Sequence, residues 1–262
     1  MEERDLIYWI NEREWVRKHK EAGEPKPWSA DPVFHTTYFC NVHREDDKVT
    51  KWIASRWRNM EGVKHEAAMV LARMFNLPDH LMYLDPRDPG CEENLVKSKN
   101  LRDSGHKLFS GAYLITTCGV RMDKVDYVYE VVRNVAKRTI FCDTLENTAK
   151  QLMQVNGLGT FMAAQVVADL KNTEGHPLQN ATDWWSWCAV GPGSLRGIRW
   201  LDGYSSVTKG QFLRCIQSLH ANLGSDIPKM HMQDFQNCLC EFDKYCRVKN
   251  GTGRSKRIYM GR

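Results

Sequence analysis

The sequence predicts an all-α protein, and three observations carry that prediction. Apolar residues recur at three- and four-residue spacing along most of the 262-residue chain. Regular two-residue alternation, the mark of half-buried strands, is nearly absent. The stretch 152–170, LMQVNGLGTFMAAQVVADL, has the pattern of a helix-hairpin-helix: an apolar helical turn, a glycine-containing loop, then a second apolar helix.

The elements follow in order. Val49, Trp52, Ile53, Arg56 and Trp57 share one helical face, with Lys48, Lys51, Ser55 and Arg58 on the other sides. Ala67, Ala68, Val70, Leu71, Met74 and Phe75 make a second helix, stopped by Pro78. Val125, Val128, Val131, Val132 and Val135 make a third; its β-branching leaves a buried strand as the alternative. Thr144 reads as the N-cap of a helix reaching Gln154, which opens a hairpin motif at about 144–171. Phe212, Cys215, Ile216 and Leu219 mark another helix, and Met232, Phe235, Leu239, Phe242 and Cys246 a long last one. Glycine- and proline-rich breaks at 23–32, 85–90, 175–177 and 191–197 are too short to be linkers, and no internal repeat is visible. One domain over 1–262 is therefore expected, as two lobes around a cleft. The basic tail 249–262 is a solubilising end or an arm for phosphates.

Composition narrows the function classes. A 42% hydrophobic content argues for a packed core. A net charge of +5 permits a polyanionic partner without demanding one. The nine cysteines are odd in number and scattered, no signal peptide opens the chain, and no apolar run approaches the roughly 20 residues of a membrane span. These features predict a reduced, intracellular protein with no membrane partner. No stretch has the GxxxxGK[ST] order of a nucleotide-binding loop, which argues against a self-contained ATP-dependent kinase.

Five segments can carry chemistry. In Asn156-Gly157-Leu158-Gly159-Thr160 the glycines allow a tight turn and close approach to another molecule, and the loop amides point at a phosphate. The alternative is a glycine-closed turn between two packed helices. Asp183 heads a predicted helix among Trp184, Trp185 and Trp187, where a carboxylate gains the raised pKa of a general base; otherwise it is an ordinary N-cap. The run 191–197 is not expected to be a regular helix, so Ser194 and the glycine amides can cradle an anion beside Arg196 or Arg199. Finally, Asn11-Glu12-Arg13-Glu14 with Arg17, and Asn41-Val42-His43-Arg44-Glu45-Asp46-Asp47, mix guanidinium with carboxylate. They read as a pocket wall, or as a surface ion-pair network with Asp46 as a cap. Metal sites find little support: Cys238, Cys240 and Cys246 read as buried thiols, and Glu45-Asp46-Asp47 point in different directions on a helix. No Cys-His pairing stands out, and neither a metal nor a cofactor is expected.

The order of hairpin, second helix and aspartate resembles the helix-hairpin-helix DNA glycosylase superfamily, with Gly157, Gly159 and Asp183 at the matching positions. The chain departs from it at Thr160-Phe161-Met162, where some members carry a catalytic lysine. A broader resemblance rests on Asn11-Glu12-Arg13-Glu14, Glu21-Ala22-Gly23-Glu24-Pro25-Lys26-Pro27-Trp28, Asp31-Pro32, the Asn41 to Asp47 motif, Gly191-Pro192-Gly193 and Cys240-Glu241-Phe242-Asp243-Lys244-Tyr245. Together these resemble the phage thymine-hypermodification family: α-glutamyl/putrescinyl-thymine pyrophosphorylases, amino acid:DNA transferases and the helical domain of 5-hydroxymethyluracil DNA kinases. The resemblance implies action on double-stranded DNA whose 5-hydroxymethyluracil is phosphorylated, with the phosphate or pyrophosphate displaced by an amino acid or polyamine. A separate DNA kinase is the implied partner. The resemblance casts Asp183 as the base, with Glu45 and Glu12 behind it, and Arg44 as a stabiliser of the leaving anion. Arg13, Asn41, Arg17, Arg196 and Ser194 would bind phosphate and amine, and residues 156–160 would hold DNA. Two other roles stay open: a non-catalytic DNA-binding module serving a kinase, and a glycosylase for a modified base.

Overall fold

The computed structural model describes residues 1–253. Among them there is no β-strand, and twelve α-helices carry the fold. These are α1 (Glu3–Glu21), α2 (Pro32–Thr36), α3 (Lys48–Ile53), α4 (His65–Phe75), α5 (Pro78–Leu81) and α6 (Glu92–Asp103). There follow α7 (Lys124–Ala136), α8 (Leu145–Leu152), α9 (Thr160–Leu170), α10 (Pro192–Arg199), α11 (Phe212–Leu223) and α12 (Met232–Lys249). None of the described helices is long and apolar enough to cross a membrane. The expected basic tail lies, from 254 on, outside the described residues.

The chain divides into two compact units, Met1–Asp47 with Trp185–Arg262, and Lys48–Trp184. In the first, α1 has acidic residues (Glu3, Asp5) in its first turn and basic ones (Lys18, His19, Lys20) in its last, matching the helix dipole. It buries Leu6, Trp9 and Ile10 in a core shared with Phe34, Phe39, Phe212, Phe235 and Phe242. The segment 191–197 departs from expectation by forming most of α10. Pro192 suits a first helical turn because it has no amide to satisfy. Gly193 and Gly197, one turn apart, let α10 lie against α12. A Cβ on Gly197 would overlap the Leu239 carbonyl, and one on Gly193 the Cys240 sulfur. These glycines serve helix packing and cradle no anion.

In the second unit, α4 is buried from Ala67 to Phe75 and packs against α7 and α9. The valines of α7 are indeed helical, and the helix is capped by Asp123, which accepts the amides of Val125 and Asp126. Pro78 does not stop α4. Asn76 ends it in the left-handed conformation (φ 49°), and Pro78 opens α5. Arg73 and Asp169 form a fully buried bidentate pair, Nε to Oδ2 at 2.5 Å and Nη2 to Oδ1 at 2.7 Å, with Thr50 and Asn76 accepting two further guanidinium protons. This pair ties the second hairpin helix to α4.

Candidate functional site

Helices α8 and α9 flank the glycine loop, and the residues of this stretch divide their work. Thr144 caps α8 by accepting the Asn147 amide at 3.2 Å. Gly157 turns with φ 96°, and a Cβ there would strike Val131 at 2.6 Å and the Tyr127 hydroxyl at 2.8 Å. Its close neighbour is therefore α7 of the same chain. Leu158 is buried in the core. Asn156, Gly159 and Thr160 face solvent. Gly159 is the N-cap of α9, with no side chain to cap the helix and open space around it. The positive end of the α9 dipole thus faces outward, flanked by Phe161, which is 54% exposed.

Asp183 does not start a helix, because residues 182–186 form turns. Its carboxylate accepts the Leu145 amide at 2.8 Å (Oδ1) and the Glu146 amide at 3.0 Å (Oδ2), satisfying the open end of α8. Two backbone hydrogen bonds hold this group as a cap supplied from a distant loop. Beside it, Trp184 donates its indole proton to the Lys171 carbonyl, and the Lys171 ammonium sits 4.2 Å over the Trp184 ring.

The two polar motifs of the N-terminal third meet on α12 of the first unit. Buried Asp234 lies at the centre. Its Oδ1 accepts the Arg44 amide at 3.0 Å, and its Oδ2 is 3.4 Å from His43 Nδ1 and 3.2 Å from His231 Nε2. His231 is the N-cap of α12 and accepts the Asp234 amide on Nδ1, so its Nε2 carries the ring proton. His43 is 28% exposed. Its bond to Asp234 and the charges of Asp234, Glu14 and Asp46 raise its pKa against the opposing effect of burial. With Nδ1 directed at Asp234, the neutral ring keeps a lone pair on Nε2.

Around this dyad stands an acidic shell. Arg17 reaches Glu14 (2.5 Å), Glu21 (2.5 Å) and Asp46 (3.3 Å), and three carboxylates on one guanidinium disfavour a fourth anion there. Burial acts to raise the Glu14 carboxyl, but Arg17, His43 and Lys18 outweigh it and hold the group below its usual range. Arg44 pairs with Glu45 at 3.4 Å. Arg13 supports the site from behind, donating to the carbonyls of Cys40 (2.9 Å) and Phe39 (3.4 Å) and to the Asn41 side chain. Burial lowers its pKa.

The structure thus brings Glu14, Arg17, Asn41, Arg44 and Glu45 together, and leaves others elsewhere. Glu12 lies beside Tyr8, whose hydroxyl is pushed up to about 12 by burial, Glu12 and Asp31. Ser194 is fully buried and exchanges hydrogen bonds with the Gly191 backbone, closing the first turn of α10. Arg196 joins Trp200 and Arg247 on buried Asp243. Ser194 is thus out of reach of an anion, and the Arg196 charge is already engaged by Asp243.

Sequence reasoning missed His43, His231 and Asp234. His43 stood inside a motif already singled out, and His231-x-x-Asp234 is an N-cap and N3 pairing at a helix start. It also missed a grouping of Cys142, Glu66 and His176, the one set among the described residues with the geometry to hold a metal ion. Burial and the charge of Glu66 push the Cys142 thiol up to about 12, so it is no nucleophile.

Residues 3–255 match the family model described as the helical domain of 5-hmdU DNA kinase. The chain belongs to this family. A 5-hmdU DNA kinase of Bacillus phage SP10 is 24% identical over 286 residues, covering 91% of this chain and 44% of that protein. The chain therefore spans less than half the length of this curated relative. No solved structure matches.

Proposed function

We propose that this helical-domain protein modifies thymine-derived bases in DNA, replacing the phosphate or pyrophosphate of 5-phosphomethyl-deoxyuridine with an amino acid or polyamine. The observation that carries this reading is the His43–Asp234 dyad inside its acidic shell. Glu14, Glu45 and Asp46 favour a cationic amine, and the free nitrogen of His43 accepts a proton from it. The amine then attacks the C5-methylene carbon while the carbon–oxygen bond to the phosphate breaks. The phosphate leaves with the electron pair, helped by the ring's own electrons, and Arg44 offers it positive charge. His43 takes over the base role first assigned to Asp183. The exposed α9 N-terminus is the point of contact with the DNA backbone.

A second reading is a module that presents hydroxymethyluracil DNA to a kinase. The match to less than half of a longer 5-hmdU DNA kinase favours it, as does the lack of a nucleotide-loop motif in this chain. Phosphomethyl-uracil DNA incubated with mixed amino acids and polyamines separates the two by nucleoside mass spectrometry. An amine adduct that disappears in His43→Gln supports transfer. DNA binding without product supports the module, and released base or abasic sites would instead identify a glycosylase.

A further inference from the structure

We propose that Glu66, Cys142 and His176 form a binding site for a divalent cation of the zinc class. They come from three stretches of the second unit: the first turn of α4, the segment before α8, and the loop after α9. Their ligand atoms all lie within 4.8 Å of one another. Glu66 Oε1 is 3.6 Å from the Cys142 sulfur and 3.7 Å from His176 Nε2. A tetrahedral ion with bonds of about 2.0–2.3 Å sets neighbouring ligands roughly 3.3–3.8 Å apart, so both gaps already suit a shared ion. One sulfur, one imidazole and one carboxylate make a zinc-type donor set, and not a calcium or magnesium one.

His65 is an independent pointer. Its ring stands edge-on to His176 at 6.0 Å between centroids. Its Nε2 is buried with no hydrogen-bond partner. A buried lone pair of this kind is costly. It stands outside the three-ligand set but next to it, where it could accept a hydrogen bond from a water bound to the ion.

The three side chains are joined through Glu66. The Leu178 amide donates to His176 Nδ1 at 3.2 Å, so Nε2 carries the ring proton toward Glu66, and the thiol also donates to Glu66. On binding, the thiol proton leaves to solvent, the ring proton moves to Nδ1, and the Leu178 amide turns away. One proton is released per ion. The ion would brace α4 to the segments on both sides of the hairpin, in a unit separate from the His43 dyad.

The test uses the full chain, stripped with chelator and dialysed against Zn²⁺ alone or Co²⁺ alone. The expected result is one ion per chain by mass spectrometry and a thiolate-to-cobalt charge-transfer band. Cys142→Ser should lose that band, and Glu66→Gln and His176→Gln should weaken Zn²⁺ binding by at least about 10–100-fold. Circular dichroism identifies a misfolded variant, and the remaining ones decide. No retained ion in the folded wild type would overturn the site, as would equal retention and an unchanged cobalt spectrum in the folded variants.

Discussion

Gly157→Ala tests what the hairpin glycines are for. At φ 96° a side chain costs about 1–3 kcal/mol in backbone strain. The added Cβ would sit 2.6 Å from Val131 and 2.8 Å from the Tyr127 hydroxyl, an overpacking of about 1–3 kcal/mol. Together these weaken the local fold by roughly 2–6 kcal/mol, a loss of amide protection of about 30- to 20,000-fold at about 1.4 kcal/mol per tenfold. Gly159→Ser is the control. Its φ of −86° is ordinary, nothing crowds it, and a hydroxyl at the N-cap of α9 should stabilise by a few tenths of a kcal/mol. Hydrogen exchange across 145–170 is the proper assay, because a chain with two compact units need not unfold in one step. Equal protection in both variants would refute the claim that Gly157 is required by packing on α7.

Arg73→Met should destabilise by about 3–5 kcal/mol in urea denaturation, because Asp169 loses its bidentate buried partner; adding Asp169→Leu should recover much of the loss. Gly197→Ala should lower the stability of the α10–α12 joint by about 1–3 kcal/mol or more, measured by hydrogen exchange over 192–249, since its Cβ has no room beside the Leu239 carbonyl. Asp183→Ala should cost the hairpin about 0.5–2 kcal/mol by the same measurement, and Asp183→Asn less, while the proposed amine transfer persists in the folded fraction. His43 has a folded pKa above its unfolded value of about 6.5. Its contribution to stability is therefore fully present below about pH 6.5 and disappears as pH rises through the folded value. Urea midpoints of wild type and His43→Gln should converge with rising pH, and Asp234→Asn should return the His43 NMR titration toward 6.5.

What the sequence revealed were features local to a few turns. The Thr144 cap, the α4 and α7 faces and the hairpin loop are set by neighbours within four residues, and all appear where periodicity put them. α1 was read only as charged clusters, because Leu6, Trp9 and Ile10 are its sole buried apolar residues and Glu14 is buried beside them. The 191–197 segment misled for a different reason. Glycine opposes a helix by propensity, but close packing of α10 on α12 overrides it where no larger residue fits. Asp234 with His43 spans 191 positions and Cys142 with Glu66 spans 76, so no pattern within one segment reveals either.

The same distinction bears on which acid fits the proposed chemistry. Asp183 looked catalytic because it follows a hairpin and neighbours tryptophans, yet both its oxygens hold amides of α8, and moving it would leave the Leu145 and Glu146 amides without a partner. Asp234 is more deeply buried but keeps an imidazole, not a backbone, as one of its partners. A carboxylate fixed on amides can only orient structure; one fixed on an imidazole can pass its influence to a second nitrogen at the surface. Arg17 completes the argument by its sign. Surrounded by Glu14, Glu21 and Asp46, it neutralises carboxylates and presents little field to a phosphate. The carboxylates around His43 therefore suit a cation better than an anion, and an amine is the substrate of the proposed reaction that carries one. If a phosphate analogue protected His43 from titration better than a polyamine did, the assignment of this site to the amine would be wrong.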